Sequence, residues 1–272
     1  MNLPGAPPKV SLPGVKNVIA VASGKGGVGK STVATNLALA LSMLGRRVGL
    51  LDADIYGPSI PIMMGVDQTF DPNLTQFPLE RHGIKLMSIG FLVKPETAMI
   101  WRGPMVHKYI TVFLTQVSWD QLDYLVIDLP PGTGDAQLTL TQTAPLSGAI
   151  IVTTPQDVSL IDARKGLEMF RQVRVPILGI VENMSYFIGD GGKRYEIFRH
   201  GGGKKLAQET GVPFLGEIPI DPAIAECGDT GDPIVHKLPD NPVSKTYLTL
   251  ASAVSAEVAK LGTPGELPTL QL

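Results

Sequence analysis

The chain has 272 residues, 44% hydrophobic and 18% charged, enough to bury the core of one large α/β domain. Its 23 basic and 25 acidic side chains leave a net charge of -2, which excludes coating of nucleic acid or anionic membrane by bulk charge. One cysteine, Cys227, excludes an internal disulfide, a CxxC redox pair and a cysteine-only metal site within one chain, and it fits a reducing compartment.

Residues 1–15 are rich in proline and glycine and have neither the apolar segment of a signal peptide nor the Arg-rich pattern of a transit peptide, so they read as a flexible leader. From Asn17 onward, short apolar runs rich in Val and Ile alternate with helix-length segments. Predicted strands are Asn17–Ser23, Arg47–Asp52, Lys85–Ile89, Tyr124–Asp128, Ala149–Thr154, Ile177–Glu182 and Phe214–Ile218. Predicted helices are Gly29–Leu44, Met105–Val117, Ala136–Thr143, Ser159–Val173, Gly203–Thr210 and Val243–Lys260, with Gly45 and Gly211 at helix C-termini. Most strands are apolar throughout rather than alternating, as strands covered on both faces are. The fold class is therefore α/β, a mostly parallel central sheet flanked by helices on both faces. No linker or repeat divides residues 16–261, and residues 262–272 are expected to fray. No apolar run reaches the roughly 20 residues that span a bilayer, and the chain reads as cytoplasmic.

The segment Gly24-Lys25-Gly26-Gly27-Val28-Gly29-Lys30-Ser31-Thr32 follows the first strand and opens the first helix, and it fits GxxxxGK[ST]. Glycines let backbone N–H groups converge on phosphate oxygens, and the helix N-terminus adds positive potential. Lys30 reaches the β- and γ-phosphates in such a loop, and Ser31 ligates Mg²⁺. The same letters also satisfy GxGxxG through Gly24, Gly26 and Gly29, with Asp52 where a dinucleotide fold places its ribose-binding acid. A lysine and two hydroxyls after the third glycine, and a second strand-ending acid at Asp128, favour a metal triphosphate over nicotinamide.

The run Tyr124–Asp128 is an apolar strand ending in one carboxylate, which suits a direct or water-mediated Mg²⁺ ligand, although an aspartate there also serves as a plain helix cap. Residues Leu129–Asp135 form a stiff, glycine-punctuated loop, either a sensor of hydrolysis or an ordinary strand-to-helix connection. Asp52 and Asp54 lie at and just past the end of the second strand. Phosphoryl transfer to water needs an oriented nucleophile and a compensating cation, for which Asp54 and Lys25 are the candidates.

The loop GKGGVGK with its second-position lysine, DADIYGPS at 52–59 and VIDLPPGTGD at 126–135 together resemble the deviant Walker A ATPases of the MinD and ParA superfamily. Within it the likeness is greatest to the Mrp class of nucleotide-binding iron-sulfur cluster carriers, through Trp101–Met105, Val181–Phe187, His200–Lys204 and Gly216–Asp221 as well, covering roughly Val15 to Leu261. The resemblance implies an ATPase that turns over slowly as a homodimer, with ATP and Mg²⁺ as cofactors and apoprotein clients. By that likeness Lys25 crosses to the partner's ATP, Asp54 positions the water, Asn183 contacts adenine, Pro219 and Asp221 sit in the loop beside the base, and Asp162 pairs with Lys25 in the ATP-free monomer.

One departure stands against these matches. The class carries a CxxC pair shortly after its NMSYF-like segment, and two subunits together supply four thiolates for a bridging cluster. Here the stretch Ile188–Phe198 holds glycines and other non-ligands, and a dimer offers only two copies of Cys227, which the sequence places in a loop. Cys227 is thus a weak candidate ligand, and the cluster ligands are unassigned. His82, His107, His200 and His236 show no paired metal spacing. Three functions follow: a carrier or scaffold in iron-sulfur cluster assembly, with ligands from a cysteine-bearing partner ATPase if not its own; a MinD-like or ParA-like switch that recruits a protein; and a small-molecule ATPase or kinase. The C-terminal end lacks a basic amphipathic helix and no Lys/Arg run is present, so neither membrane nor nucleic acid is an expected partner. Trp101, Arg102 and the apolar run Ile60–Met64 are candidate partner surfaces.

Overall fold

A computed structural model of the chain describes residues 10–54, 57–66, 77–91 and 103–262. The ends of the leader and tail, Trp101 and Arg102 lie outside the described residues, as does the side chain of His107. The elements are, in chain order, β1 (Val15–Ser23), α1 (Lys30–Met43), β2 (Val48–Asp52), α2 (Ile60–Met63), β3 (Leu79–Arg81), β4 (Ile84–Ser88), α3 (Gly103–Thr115), β5 (Leu122–Asp128) and α4 (Asp135–Thr143). There follow β6 (Gly148–Thr153), α5 (Asp157–Gln172), β7 (Ile177–Glu182), β8 (Phe187–Ile188), β9 (Arg194–Tyr195), α6 (Gly202–Thr210), β10 (Phe214–Glu217), α7 (Pro222–Asp229), α8 (Ile234–Lys237) and α9 (Pro242–Lys260).

An eight-stranded sheet in the order β10-β7-β6-β1-β5-β2-β4-β3 runs through the centre, and every neighbouring pair is parallel except β3 with β4. Parallel strands need crossover connections, and right-handed crossovers lay the helices on both faces. The helices accordingly pack in two sets, α1 with α2, α8 and α9 on one, and α3 with α4 and α5 with α6 on the other. All residues of β2 and β6 are buried, as the continuous apolar runs predict. Each predicted strand and helix is present with its ends within two residues.

Register sets the chemistry. Val21 of β1 and Asp52 of β2 both lie opposite Asp128 of β5, so the C-terminal ends of three central strands come level beneath the loop that leaves β1. That crest lies where β1 sends its crossover one way to β2 while β5 sends its own the other way to β6, the place where open α/β sheets bind ligands.

Two sequence expectations are corrected. Cys227 lies in a helix, α7, not a loop, and it is buried. The helix starts at an Asp-Pro pair, with Asp221 Oδ1 accepting from Ala223 N at 2.8 Å and Pro222 at the first helical position, a start signal that was legible. The run Ile60–Met64 is not an apolar surface: Ile60 and Met64 belong to the core, and Ile62 is the exposed member.

Candidate nucleotide-binding site

The loop from Gly24 to Gly29 turns from β1 into α1 on backbone that only glycine adopts without strain. Gly27 and Gly29 both have φ of 80°. Gly24 is held for a different reason, since a Cβ there would lie 2.1 Å from the Asp162 carbonyl carbon of α5. Gly26 faces open space. Thr32 lies in the first turn of α1, beyond Lys30 and Ser31.

Lys30 is the hub. Its Nζ donates to Asp128 Oδ1 at 2.7 Å, to Asp54 Oδ2 at 3.4 Å and to Ser31 Oγ at 3.3 Å, while Ser31 Oγ donates to Asp128 Oδ2 at 2.6 Å. Lys30, Asp54 and Asp128 are all buried. Asp52 sits behind them, its carboxylate oxygens accepting from Asp54 N, Ser88 Oγ and Ile60 N. Burial, and then the neighbouring Asp128 charge, push the Asp52 pKa up to about 8, so this carboxyl keeps its proton at neutral pH. Burial raises Asp128 as well, opposed by Lys30. With Asp52 protonated, one buried lysine still faces two buried carboxyls, Asp54 and Asp128, a shortage of positive charge that a hard divalent cation on the Ser31 and Asp128 oxygens would fill. The donor set therefore fits Mg²⁺. Asp52 packs against the base of Asp54 and α2 rather than lining an open crevice, which disfavours the ribose-binding role of the dinucleotide alternative.

Beside the loop lies a cavity of about 530 Å³, within the size range of small-molecule sites. Gly29, Thr32, Asn183, Pro219 and Asp221 all line it, which gathers the expected base-side residues in one place. Asn183 Nδ2 donates to Val28 O at 2.8 Å, so the residue that follows β7 clasps the phosphate loop. Asp221 spends one oxygen on the helix cap described above. Met63, Ile197, Phe198 and Ile224 complete an apolar wall that the sequence reading missed. Phe198 and Ile197 come from the segment searched for cysteines, and their exposed-looking context gave no signal. That segment instead forms the β8–β9 hairpin, turning at Gly191 and Gly192 with positive φ, and Arg194 stacks 3.9 Å above the Tyr186 ring.

The strand-to-helix loop after β5 is fastened to the end of β1, directly before the phosphate loop, since Leu129 N donates to Val21 O at 3.0 Å and Gly132 N to Ser23 O at 2.9 Å. Lys25 does not join the Lys30 cluster. It lines a separate open depression with Gln156, Asp157, Val158 and Phe198. Among the described residues Asp162 is paired elsewhere: Asp162 Oδ1 accepts from Lys165 Nζ at 3.0 Å one turn along α5. Two histidine clusters appear that spacing along the chain concealed, His82 with Asp232 and His236, and Glu182 with His200 and Glu217. The second is a structural staple, because both Glu182 oxygens are committed to Gly201 N, Gly203 N and Ser185 Oγ at the start of α6.

A glycine loop at a strand-to-helix turn, a buried lysine, an adjacent serine and a strand-ending aspartate on a parallel sheet define a P-loop NTPase. The family model ParA, described as NUBPL iron-transfer P-loop NTPase, matches residues 14–255, and the chain belongs to that family. The iron-sulfur cluster carrier protein of Synechocystis is 51% identical over 261 residues, covering 93% of this chain and 74% of its own length. Among solved structures, the nucleotide-binding protein of Archaeoglobus fulgidus, in complex with ADP and with Co found by PIXE, is 41% identical with a TM-score of 0.73 over 85% of this chain and 91% of that one. The cell division ATPase MinD of Pyrococcus furiosus shares the fold, at 24% identity and a TM-score of 0.69 over 89% of this chain and 99% of its own.

Proposed function

We propose that this chain binds and hydrolyses ATP as a homodimer in the cytoplasm and acts in the assembly or transfer of iron-sulfur clusters to apoproteins, with cluster thiolates supplied by a cysteine-bearing partner. The observation that carries the ATPase reading is the convergence of Lys30, Ser31, Asp54 and Asp128 on one buried point at the mouth of the phosphate loop. Lys30 Nζ is bound to the Asp54 and Asp128 carboxylates. Phosphate oxygens would take over its Nζ, and the backbone N–H groups of Gly26 to Ser31 would cradle the β- and γ-phosphates. Magnesium held by Ser31 and Asp128 would supply charge neutralisation to the transferring phosphoryl group. Asp54, released from Lys30, would accept a hydrogen bond from the attacking water and orient it. Loss of the γ-phosphate would then be felt by Leu129–Asp135 through the hydrogen bonds of Leu129 and Gly132 to the end of β1, directly before the phosphate loop.

What supports a dimer is the surface around Lys25. Val158 and Ile161 on α5 are 64% and 59% exposed, and Val158 lines the same open depression as Lys25. A second copy facing this surface would receive Lys25 at its own nucleotide. Lys25→Ala should keep most nucleotide binding and lose turnover, and hydrolysis at the parent rate would end the cross-subunit reading. Asp54→Ala should trap an ATP-bound dimer, and a monomer by light scattering in saturating Mg-ATP would count against it.

A second reading is a MinD-like or ParA-like switch that recruits a protein and carries no cluster. Cys227 favours it, since the chain's one thiol is buried in α7 and burial pushes its pKa up, away from the thiolate that binds iron. Anaerobic reconstitution with iron and sulfide, counted per dimer for the parent and Cys227→Ala, separates the two. No cluster from the chain alone, but a cluster on a mixed complex with a cysteine-bearing relative, supports the assembly role. No cluster in either leaves the switch.

A further inference from the structure

We infer that His82, Asp232 and His236 form a binding site for one divalent first-row transition ion of the Zn²⁺ and Co²⁺ class, outside the nucleotide site. Their ligand atoms lie within 4.8 Å of one another, although His82 is about 150 residues from the other two in sequence. His82 occupies the two-residue turn between β3 and β4, where it and Gly83 both take positive φ, 49° and 76°. A histidine held in left-handed backbone is uncommon and costs stability, so its side chain is fixed in place by the turn.

The proton positions are set by the surroundings. His82 Nε2 lies 3.1 Å from the carbonyl oxygen of Gly231, which can only accept, so Nε2 carries the hydrogen and Nδ1 presents its lone pair. A ring nitrogen bonded to a backbone carbonyl, with the other nitrogen bare, is the arrangement that orients metal-binding histidines. The bare Nδ1 faces Asp232 Oδ1 at 4.0 Å, too far for a hydrogen bond. From the other side His236 Nδ1 lies 2.6 Å from the same Oδ1. The two rings are 4.2 Å apart between centroids and inclined by 47°.

Ligand bonds of about 2.0–2.2 Å in tetrahedral geometry separate donor atoms by roughly 3.3 Å, so an ion would draw the longer contact in and open the shorter one, each by less than an ångström. The ion would replace the proton that His236 shares with Asp232. Two imidazoles and one carboxylate suit zinc, cobalt or ferrous iron rather than calcium or magnesium, and they leave one position for water or an external ligand. The His82 side chain is 8% exposed while that of His236 is 47% exposed, which gives a held ligand on one side and an entry path on the other. Asp232 and His236 bracket Pro233, which lines the base cavity, so the ion would tie the β3–β4 turn to a wall of the nucleotide pocket.

The test is titration of the full metal-free chain with Co²⁺ and Zn²⁺, followed by visible absorption and chelator competition, for the parent, His82→Asn and His236→Gln. Asparagine tolerates left-handed backbone and keeps the turn, and the half-exposed His236 can be changed without disturbing the core. The parent should bind one ion with the d–d bands of a low-coordinate nitrogen and oxygen site, and each variant should bind at least about 100-fold more weakly. Zinc should raise the unfolding temperature of the parent and leave both variants unmoved. Failure of the parent to bind, equal affinity in the variants, or a thiolate charge-transfer band placing the ion on Cys227 would each overturn the assignment.

Discussion

Asn183→Ala tests whether β7 holds the phosphate loop in shape. Asn183 is buried, and its amide is the donor to Val28 O at 2.8 Å. An alanine removes that donor and opens space against Gly29, whose Cα faces the amide so closely that a Cβ there would sit 2.2 Å from Asn183 Nδ2. A buried carbonyl left without a partner costs about 1–3 kcal/mol, and water from the adjoining cavity brings the cost to the lower half of that range. About 1–2 kcal/mol, felt as disorder of a loop that nucleotide must then organise, is roughly a 5- to 30-fold weaker Kd. On the proposed reading, loss of a base contact would add to it. Fluorescence anisotropy with a labelled ADP in magnesium buffer measures the affinity, and thermal unfolding without nucleotide measures the loop term separately.

Asn183→Asp sharpens the result. It keeps the shape of the side chain and puts a carboxylate oxygen where the amide donated, against an acceptor that cannot respond. If the donor matters, aspartate must bind nucleotide more weakly than alanine. Aspartate binding as well as the parent would refute the clasp and leave Asn183 as packing alone.

Gly24→Ala should destabilise the chain by about 1–3 kcal/mol in urea unfolding, because helix α5 backbone blocks the new methyl, whereas Gly26→Ala should be neutral in the same assay. Tyr247→Phe should leave stability unchanged or raise it by up to about 1 kcal/mol in thermal unfolding, since the Tyr247 hydroxyl is buried with no hydrogen-bond partner among the described residues. Asp123 accepts from Lys16 Nζ and Arg47 N, which together hold its pKa well below the usual carboxylate range. Its folded pKa lies below the unfolded value, so its contribution is present above about pH 4 and fades as pH falls through the folded value. Asp123→Asn should therefore cost about 1 kcal/mol at pH 7, and the gap to the parent should close in acid unfolding experiments below about pH 4.

The sheet was legible because each buried strand is an unbroken apolar run ending in a turn signal, and the phosphate loop because glycine, lysine and serine occur at fixed spacing. Asp128 was legible as the acid closing such a run. The short elements escaped for a physical reason: α2, β3 and α8 span three or four residues each, too few to show a period. Their positions are dictated by what they pack on, as with Ile60, whose backbone N–H reaches Asp52. Asp52 itself was read as a site acid on position alone. Its full burial, which chiefly raises its pKa, and its register opposite Asp128, which adds to that, are properties of the assembled sheet that no single segment carries. The His82 cluster was hidden likewise, because a hairpin turn and a helix nearly 150 residues later meet only in the folded chain.

The same register argument bears on why hydrolysis and dimer formation would belong together on the proposed reading. Asp52, Asp54 and Asp128 crowd one end of the sheet with Lys30 as their cation, an arrangement in which burial and mutual repulsion already raise two of the acids. Adding a triphosphate to that crest makes the charge balance worse unless cations arrive with it. Magnesium would meet part of the demand. Lys25 stands one residue into the same loop yet lines a depression apart from its own Lys30 cluster, with the exposed Val158. On the proposed reading, the nucleotide draws in a second subunit because that subunit brings the missing positive charge, and release of phosphate removes the reason for the two to stay together.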